Sequence, residues 1–307
     1  MTIVKYRKEL EQELQSDLNI YLTSDFSIGK SQSSYLENIT DILQNDKIDL
    51  SYYLEDLAEY FYLLGLYRLH YQQPKETTAT AFYAYLLLYA NKNAGKYPPL
   101  VLMRKACMLW STLYVNGWHQ CALDVGTEFV NSVNGQASII RHGNRNNPEA
   151  WFLLELFCLS QNKQINRARA DYASDADMQI FNKVLSQWDT QDATVLDNNV
   201  TMLCEQQLLL SVIDAEQNQD DDDDVLPFYH PVMNMYPFIA LMYLAIRKRK
   251  GLTNPSQYSH YLMTDQMTDY YCDTPIALSQ NIPYQEEIIA AFKRSNPEKN
   301  SPFFDFK

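Results

Sequence analysis

The chain has 307 residues, of which 46% are hydrophobic and 21% are charged, a composition typical of globular rather than disordered proteins. Its 25 Lys and Arg residues against 38 Asp and Glu residues give a formal net charge of −13. This balance excludes a nucleic-acid-binding protein that works through a broad basic surface. With only 8 glycines, a glycine-rich phosphate loop and a β-sandwich with many turns are excluded as well.

The sequence predicts neither a targeting segment nor a membrane contact. Met1 leads into the charged residues 8–13 without the apolar stretch that a secretory signal needs. The cysteines are odd in number and widely spaced, which favours buried, reduced thiols; they are Cys107, Cys121, Cys158, Cys204 and Cys272. We therefore expect a soluble, cytoplasmic protein.

Apolar residues recur with helical spacing along nearly the whole chain. The predicted helices cover residues 4–21, 32–43, 50–69, 77–90, 100–115, 121–133, 151–159, 165–172, 175–188, 192–214 and 237–250. Asn147 and Pro148 fit the cap and the first position of the helix near 151. No Asn-Gly or Asp-Gly hairpin joins alternating runs. The predicted fold class is all-α, with antiparallel helical hairpins packed as an irregular bundle or a short solenoid.

A run of five aspartates interrupts the helical pattern. It follows Gln217, Asn218 and Gln219, and it predicts a solvated acidic loop over residues 217–225. We expect this loop to separate a larger N-terminal part from a smaller C-terminal part of one domain that spans residues 1–307. No fixed period near 34 or 40 residues is found, so a regular helical repeat is not predicted.

The sequence contains little that fits a catalytic, metal-binding or cofactor-binding motif. The aspartate run fits a Mg²⁺–diphosphate site poorly, because it lies outside any apolar helical period and no second metal-binding motif accompanies it. The five histidines lack the His-x-x-x-His spacing of zinc sites, and no Gly-x-Ser-x-Gly motif occurs. We predict no enzyme, no catalytic residues, no metal, no cofactor and no small-molecule substrate.

The predicted helix at residues 237–250 carries a recognisable pattern. The sequence Pro237-Phe238-Ile239-Ala240-Leu241-Met242-Tyr243-Leu244-Ala245, followed by Gly251 and by Tyr261-Leu262, fits Pro-x-x-Ala-Leu-x-x-Leu-Ala, a glycine and Tyr-Leu. This pattern resembles the C-terminal segment of immunity protein family 49, a helical family of bacterial polymorphic toxin systems. The chain departs from that pattern because no proline follows Leu262 and because it contains the aspartate run. The basic residues 247–250 fit the last turn of this helix, where cations complement the helix dipole.

The resemblance implies a protein that binds a cognate toxin one-to-one in the cytoplasm and neutralises it. The acidic charge favours a basic toxin, such as a nuclease or a nucleic-acid-modifying enzyme. Tight inhibitors combine aromatic contacts with complementary charge, which predicts these partner-binding residues: Asp220, Asp221, Asp222, Asp223, Asp224, Asp265, Asp269, Tyr270, Tyr271 and Asp273. Two alternatives stay open. The aspartates can serve only to solvate the loop, with the tyrosines returning to the core, or the chain can be a helical-repeat-like scaffold that binds a protein or peptide partner.

Overall fold

A computed structural model describes residues 54, 57, 58, 61, 62, 80–86, 103–135, 147–167, 178–217, 236–263, 277, 282 and 285–295. Within these residues every regular element is a helix and no strand is present. The all-α fold class predicted from the apolar periodicity is therefore confirmed. The predicted helices at 4–21 and 32–43 lie outside the described residues.

The helices with defined bounds are α1 (Met103–Val115), α2 (His119–Val133), α3 (Pro148–Gln161), α4 (Gln179–Leu185), α5 (Ala193–Gln217), α6 (Phe238–Arg249) and α7 (Gln285–Ser295). Residues 80–86 are helical and buried, as are residues 54, 57, 58, 61 and 62. The sequence analysis did not predict α7, in which Ile288 is buried while Glu286 and Glu287 are exposed.

The predicted helix at 165–172 is wrong for the residues that the structure describes. α3 ends at Gln161, the next residue, Asn162, has a left-handed φ of 53°, and residues 163–166 are not helical. Asn134 of the segment after α2 accepts a hydrogen bond from the Asn166 amide at 2.7 Å and donates one to the Gln164 carbonyl at 3.3 Å. These tertiary bonds satisfy the Gln164 carbonyl and the Asn166 amide in a segment that is not helical.

One aromatic contact joins α1, α2 and α3. The Trp110 ring of α1 meets Phe129 of α2 and Phe157 of α3 edge-on, each with 5.3 Å between ring centroids. Its indole Nε1 donates a hydrogen bond to the Ala122 carbonyl at 2.8 Å. The buried ring therefore has its polar group satisfied while its faces and edges pack.

Helix α6 lies at the centre of the described fold. It packs against α1, α3 and α5, and its residues from Phe238 to Arg247 are all buried. A helix that is buried on all sides has no polar face, which is why its sequence is apolar nearly all round. The Pro-x-x-Ala-Leu-x-x-Leu-Ala pattern thus occupies the interior of the protein.

Helices α5 and α6 run antiparallel. Asn199 of α5 is hydrogen-bonded to the Tyr243 hydroxyl at 3.5 Å, and Gln207 bonds to the Tyr236 carbonyl at 2.7 Å. Later residues of α5 therefore contact earlier residues near the start of α6, which defines an antiparallel pair.

Candidate functional site

The predicted partner-binding residues lie outside the described residues; they are Asp220, Asp221, Asp222, Asp223, Asp224, Asp265, Asp269, Tyr270, Tyr271 and Asp273. The structure does describe the elements from which these residues continue. These elements are α5, α6 and residues 258–263, which we call the strap.

Helix α5 extends beyond the start of α6. The Gln207 side chain of α5 lies beside the start of α6. It donates a hydrogen bond to the Tyr236 carbonyl and accepts one from the Ile239 amide at 3.4 Å. From there α5 continues to Gln217, and ten residues of helix span about 15 Å. The acidic segment therefore leaves α5 at a distance from the α6 N-terminus rather than beside it.

The strap is attached to α5 by two carboxylates. Asp197 accepts hydrogen bonds from the Ser259 amide at 2.8 Å and from the Ser259 hydroxyl at 2.6 Å. Further along α5, Oε1 of Glu205 lies 3.1 Å from Nε2 of His260. Beyond these polar contacts the strap ends in Leu262 and Met263, which are buried. Both polar and apolar contacts thus hold the chain that directly precedes residues 264–273.

A fully buried guanidinium lies at the C-terminal end of α6. Arg247 donates to the carbonyls of Trp188, Thr190 and Thr253, and its Nε donates to Oδ1 of Asn254 at 3.1 Å. These bonds use four of its five N–H donors. Since the acceptors belong to the α4–α5 connection and to the loop after α6, the side chain joins both loops to α6.

Two neighbours complete this Arg247 cluster. The Arg247 guanidinium lies over the Tyr243 ring, with 5.6 Å from Cζ to the ring centroid, a cation–π distance. Asn254 in turn donates to the Leu244 carbonyl at 2.9 Å. Because the donors of Arg247 are directed at protein carbonyls, the cluster fixes loop geometry and offers little hydrogen-bonding capacity to a ligand.

The basic run at residues 247–250 is only partly as predicted. Gly251 follows α6 with a φ of 73°, the left-handed conformation expected after a helix, and residues 248–250 are exposed. Arg247, however, is buried, which the sequence analysis missed. The signal was its spacing, since Arg247 follows Tyr243 by four residues and Leu244 by three and therefore shares their buried face.

The cysteines of the described part of the chain are buried free thiols, namely Cys107, Cys121, Cys158 and Cys204. Burial raises the pKa of Cys158 to about 12 and also raises the pKa of the other three thiols. Such groups stay protonated at neutral pH and are poor nucleophiles. Cys272 lies outside the described residues.

Two further observations concern metals and membranes. Among the residues that the structure describes, no three His, Cys, Asp or Glu side chains come together as a metal ion would require. In the same part of the chain, no helix combines the length and the apolar character needed to cross a bilayer.

Comparison with known proteins gives no match: no family model fits the chain, and neither a curated protein nor a solved structure is significantly similar to it. The resemblance to immunity protein family 49 therefore stays a prediction that rests on the pattern at residues 237–262. The structure adds the location of that pattern, since its helical part is α6, and Leu262 is one of the buried residues of the strap.

Proposed function

We propose that this chain is an immunity protein that binds a cognate bacterial toxin one-to-one in the cytoplasm and neutralises it. The observation that carries the proposal is the pattern at residues 237–262, which coincides with the central helix α6 and with the strap docked on α5. A pattern whose residues hold the core together is what related folds are expected to share, because core positions restrict volume and shape. The proposed mode of action is binding, without catalysis by this chain.

Charge supports a basic partner. The chain has a net charge of −13, and complementary charge steers association and raises its rate at low salt. We propose a nuclease or another nucleic-acid-modifying enzyme as the toxin, because proteins that act on phosphate backbones carry basic surfaces. The aspartate run, which begins three residues after Gln217 at the end of α5, is the densest negative charge in the sequence.

The scaffold around the predicted residues supports tight binding. The acidic segment follows helix α5 in the chain, and residues 264–273 follow the strap. Asp197 and Glu205 of α5 hold the strap on that same helix. Binding segments that start from fixed elements lose less conformational entropy when a partner docks. We propose that the two predicted segments form one partner-binding surface.

Co-expression with the protein encoded beside this chain tests the function. We expect the C-terminal domain of that neighbour to stop growth when expressed alone, and this chain to restore growth and to co-purify with it in a 1:1 ratio. A toxic neighbour that this chain neither binds nor neutralises contradicts the proposal. Binding to a non-toxic protein or peptide instead supports the scaffold alternative.

The aspartate run has its own test in the purified complex. Replacing Asp220, Asp221, Asp222, Asp223 and Asp224 with Asn is expected to slow association roughly tenfold at low salt and to weaken its salt dependence. Stopped-flow association at several salt concentrations measures both effects. The dissociation rate and the thermal stability should change little, because the substitutions act on encounter rather than on packing.

A matched pair of double substitutions separates local charge from total charge. D222N/D223N and E286Q/E287Q each remove two negative charges, and Glu286 and Glu287 are exposed on α7. We expect D222N/D223N to slow association more than E286Q/E287Q. Equal slowing by the two variants would mean that only net charge matters and that the aspartate run is not part of the binding surface.

A further inference from the structure

The strap contains a histidine that fits its site in one protonation state. The Leu262 amide donates a hydrogen bond to Nδ1 of His260 at 3.2 Å, and Nε2 lies 3.1 Å from Oε1 of Glu205. Nδ1 can accept a bond only when it carries no proton, so the proton of the neutral ring belongs on Nε2, where it points to Glu205. The His260 side chain is only 4% exposed.

We propose that the strap is a pH-sensitive element: when His260 takes up a second proton, residues 258–263 are released from α5. A proton on Nδ1 would face the Leu262 N–H, so two donors would meet and the amide would lose its acceptor. The imidazolium would also have to stay charged in a buried position. Both effects favour the released strap, in which water solvates the cation and the amide.

The charged and titratable groups around His260 determine the direction of the effect. On the side of α5, Glu205 attracts the imidazolium, but its side chain is 44% exposed, so solvent screens the attraction. Asp197 holds Ser259 next to it. At Tyr258 of the strap, the Arg247 cation from α6 and the Asp197 carboxylate from α5 act in opposite directions. Within the strap, the Tyr261 ring lies 4.6 Å from the imidazole, centroid to centroid.

The balance favours release at acid pH, because a screened ion pair contributes less than a buried amide without an acceptor costs. Docking is therefore expected to weaken as the pH falls below about 6.5, the pKa of histidine in an unfolded chain. The inference concerns the strap alone and holds whether or not the chain is an immunity protein.

Hydrogen exchange of the full chain, measured by mass spectrometry, tests the proposal. Rates at pH 7.5 and pH 5.5 are corrected for the pH dependence of chemical exchange, and peptides covering the strap are compared with peptides from α6. We expect protection of the strap to fall roughly three- to tenfold at pH 5.5, while α6 keeps its protection. Equal protection of the strap at both pH values overturns the proposal.

Two variants assign the effect to His260. In H260N the Asn Oδ1 can accept the Leu262 N–H but cannot titrate, so the difference between the two pH values should disappear. E205Q keeps a hydrogen-bond acceptor and removes the charge that opposes release, so it should enlarge the difference. A pH effect that persists in H260N, or that E205Q abolishes, contradicts the proposal. If H260N does not fold, the wild-type and E205Q results still decide.

Discussion

Arg247 is a charged side chain in the middle of the core. Its guanidinium has no exposed surface, yet its hydrogen bonds go to neutral acceptors, chiefly the carbonyls of Trp188, Thr190 and Thr253. Delocalised charge and a planar fork of donors let an arginine satisfy several carbonyls at once, which lysine cannot do. The cost of burying the charge is offset only while these bonds are intact.

Replacing Arg247 should therefore destabilise the fold. R247M keeps most of the volume but leaves buried carbonyls without donors, and we expect a loss of about 3–5 kcal/mol in the free energy of unfolding. Urea denaturation measures it. K250M, at an exposed position of the same basic run, is the matched control and should stay within about 0.5 kcal/mol of wild type. Similar losses for both variants would contradict the assigned role.

Gly126 shows how one residue brings whole helices together. A Cβ atom at this position of α2 would lie 2.5 Å from Cζ2 of Trp110 and 2.8 Å from two ring atoms of Phe157. Both rings are buried and packed against other aromatic groups, so they have little room to move. The contact of α2 with α1 and α3 therefore depends on the absence of a side chain.

The substitution G126A tests this contact. Alanine favours a helix over glycine by about 1 kcal/mol, but overpacking of a core typically costs about 1–3 kcal/mol, so we expect a net loss of stability. N131A on the same helix, at a half-buried position, removes no contact of this kind and is expected to be neutral or slightly stabilising. Thermal or urea unfolding compares the two. A G126A protein as stable as N131A would show that α1 and α3 have room to separate.

At the scale of the whole molecule, many ionisable groups are buried in their neutral form. Burial raises the pKa of four thiols, as described above, and of the phenols of Tyr62, Tyr83 and Tyr114. An acid whose pKa is raised by folding binds its proton more tightly in the native state than in the unfolded chain. The contribution of such a group to stability is therefore complete at pH values below its pKa in the unfolded chain, and it is lost as the pH rises above that pKa.

Alkaline pH should accordingly destabilise the protein steeply. Above about pH 8.5, where cysteine in an unfolded chain loses its proton, each buried thiol is expected to lower the free energy of unfolding by about 1.4 kcal/mol per pH unit. Urea unfolding at pH 8, 9 and 10 measures the slope. The variant C204A lacks one buried thiol, so its free energy of unfolding should fall less steeply with pH, by about 1.4 kcal/mol per pH unit. A stability that does not change from pH 8 to 10 would contradict the burial of these groups.

Much of the secondary structure could be predicted from local pattern. The helix predicted at 121–133 begins two residues earlier and ends at Val133, and the helix predicted at 237–250 is α6, which runs from Phe238 to Arg249. Such agreement is expected because apolar spacing and end signals act over a few neighbouring residues. The helix predicted at 165–172 was wrong for 165–167, where the side chain of Asn134, just after α2, instead holds a non-helical backbone through Gln164 and Asn166. Helix α7 was missed.

The candidate site was less predictable, because its supports join residues distant in sequence. The strap meets α5 through Asp197 and Glu205, some 55 to 62 positions before their partners. No local pattern predicts such pairs. The predicted partner-binding residues themselves lie outside the described residues, so they stay a prediction from charge, aromatic content and family resemblance.

The sequence by itself determined the all-α class, the acidic character and most helices, because composition and periodicity are local properties. Only the tertiary structure decided that Arg247 is a core residue, that Gly126 is a point of close helix contact, and that His260 of the strap meets Glu205 of α5. Each of these depends on groups brought together from separate helices, where burial and hydrogen bonding determine what a side chain does.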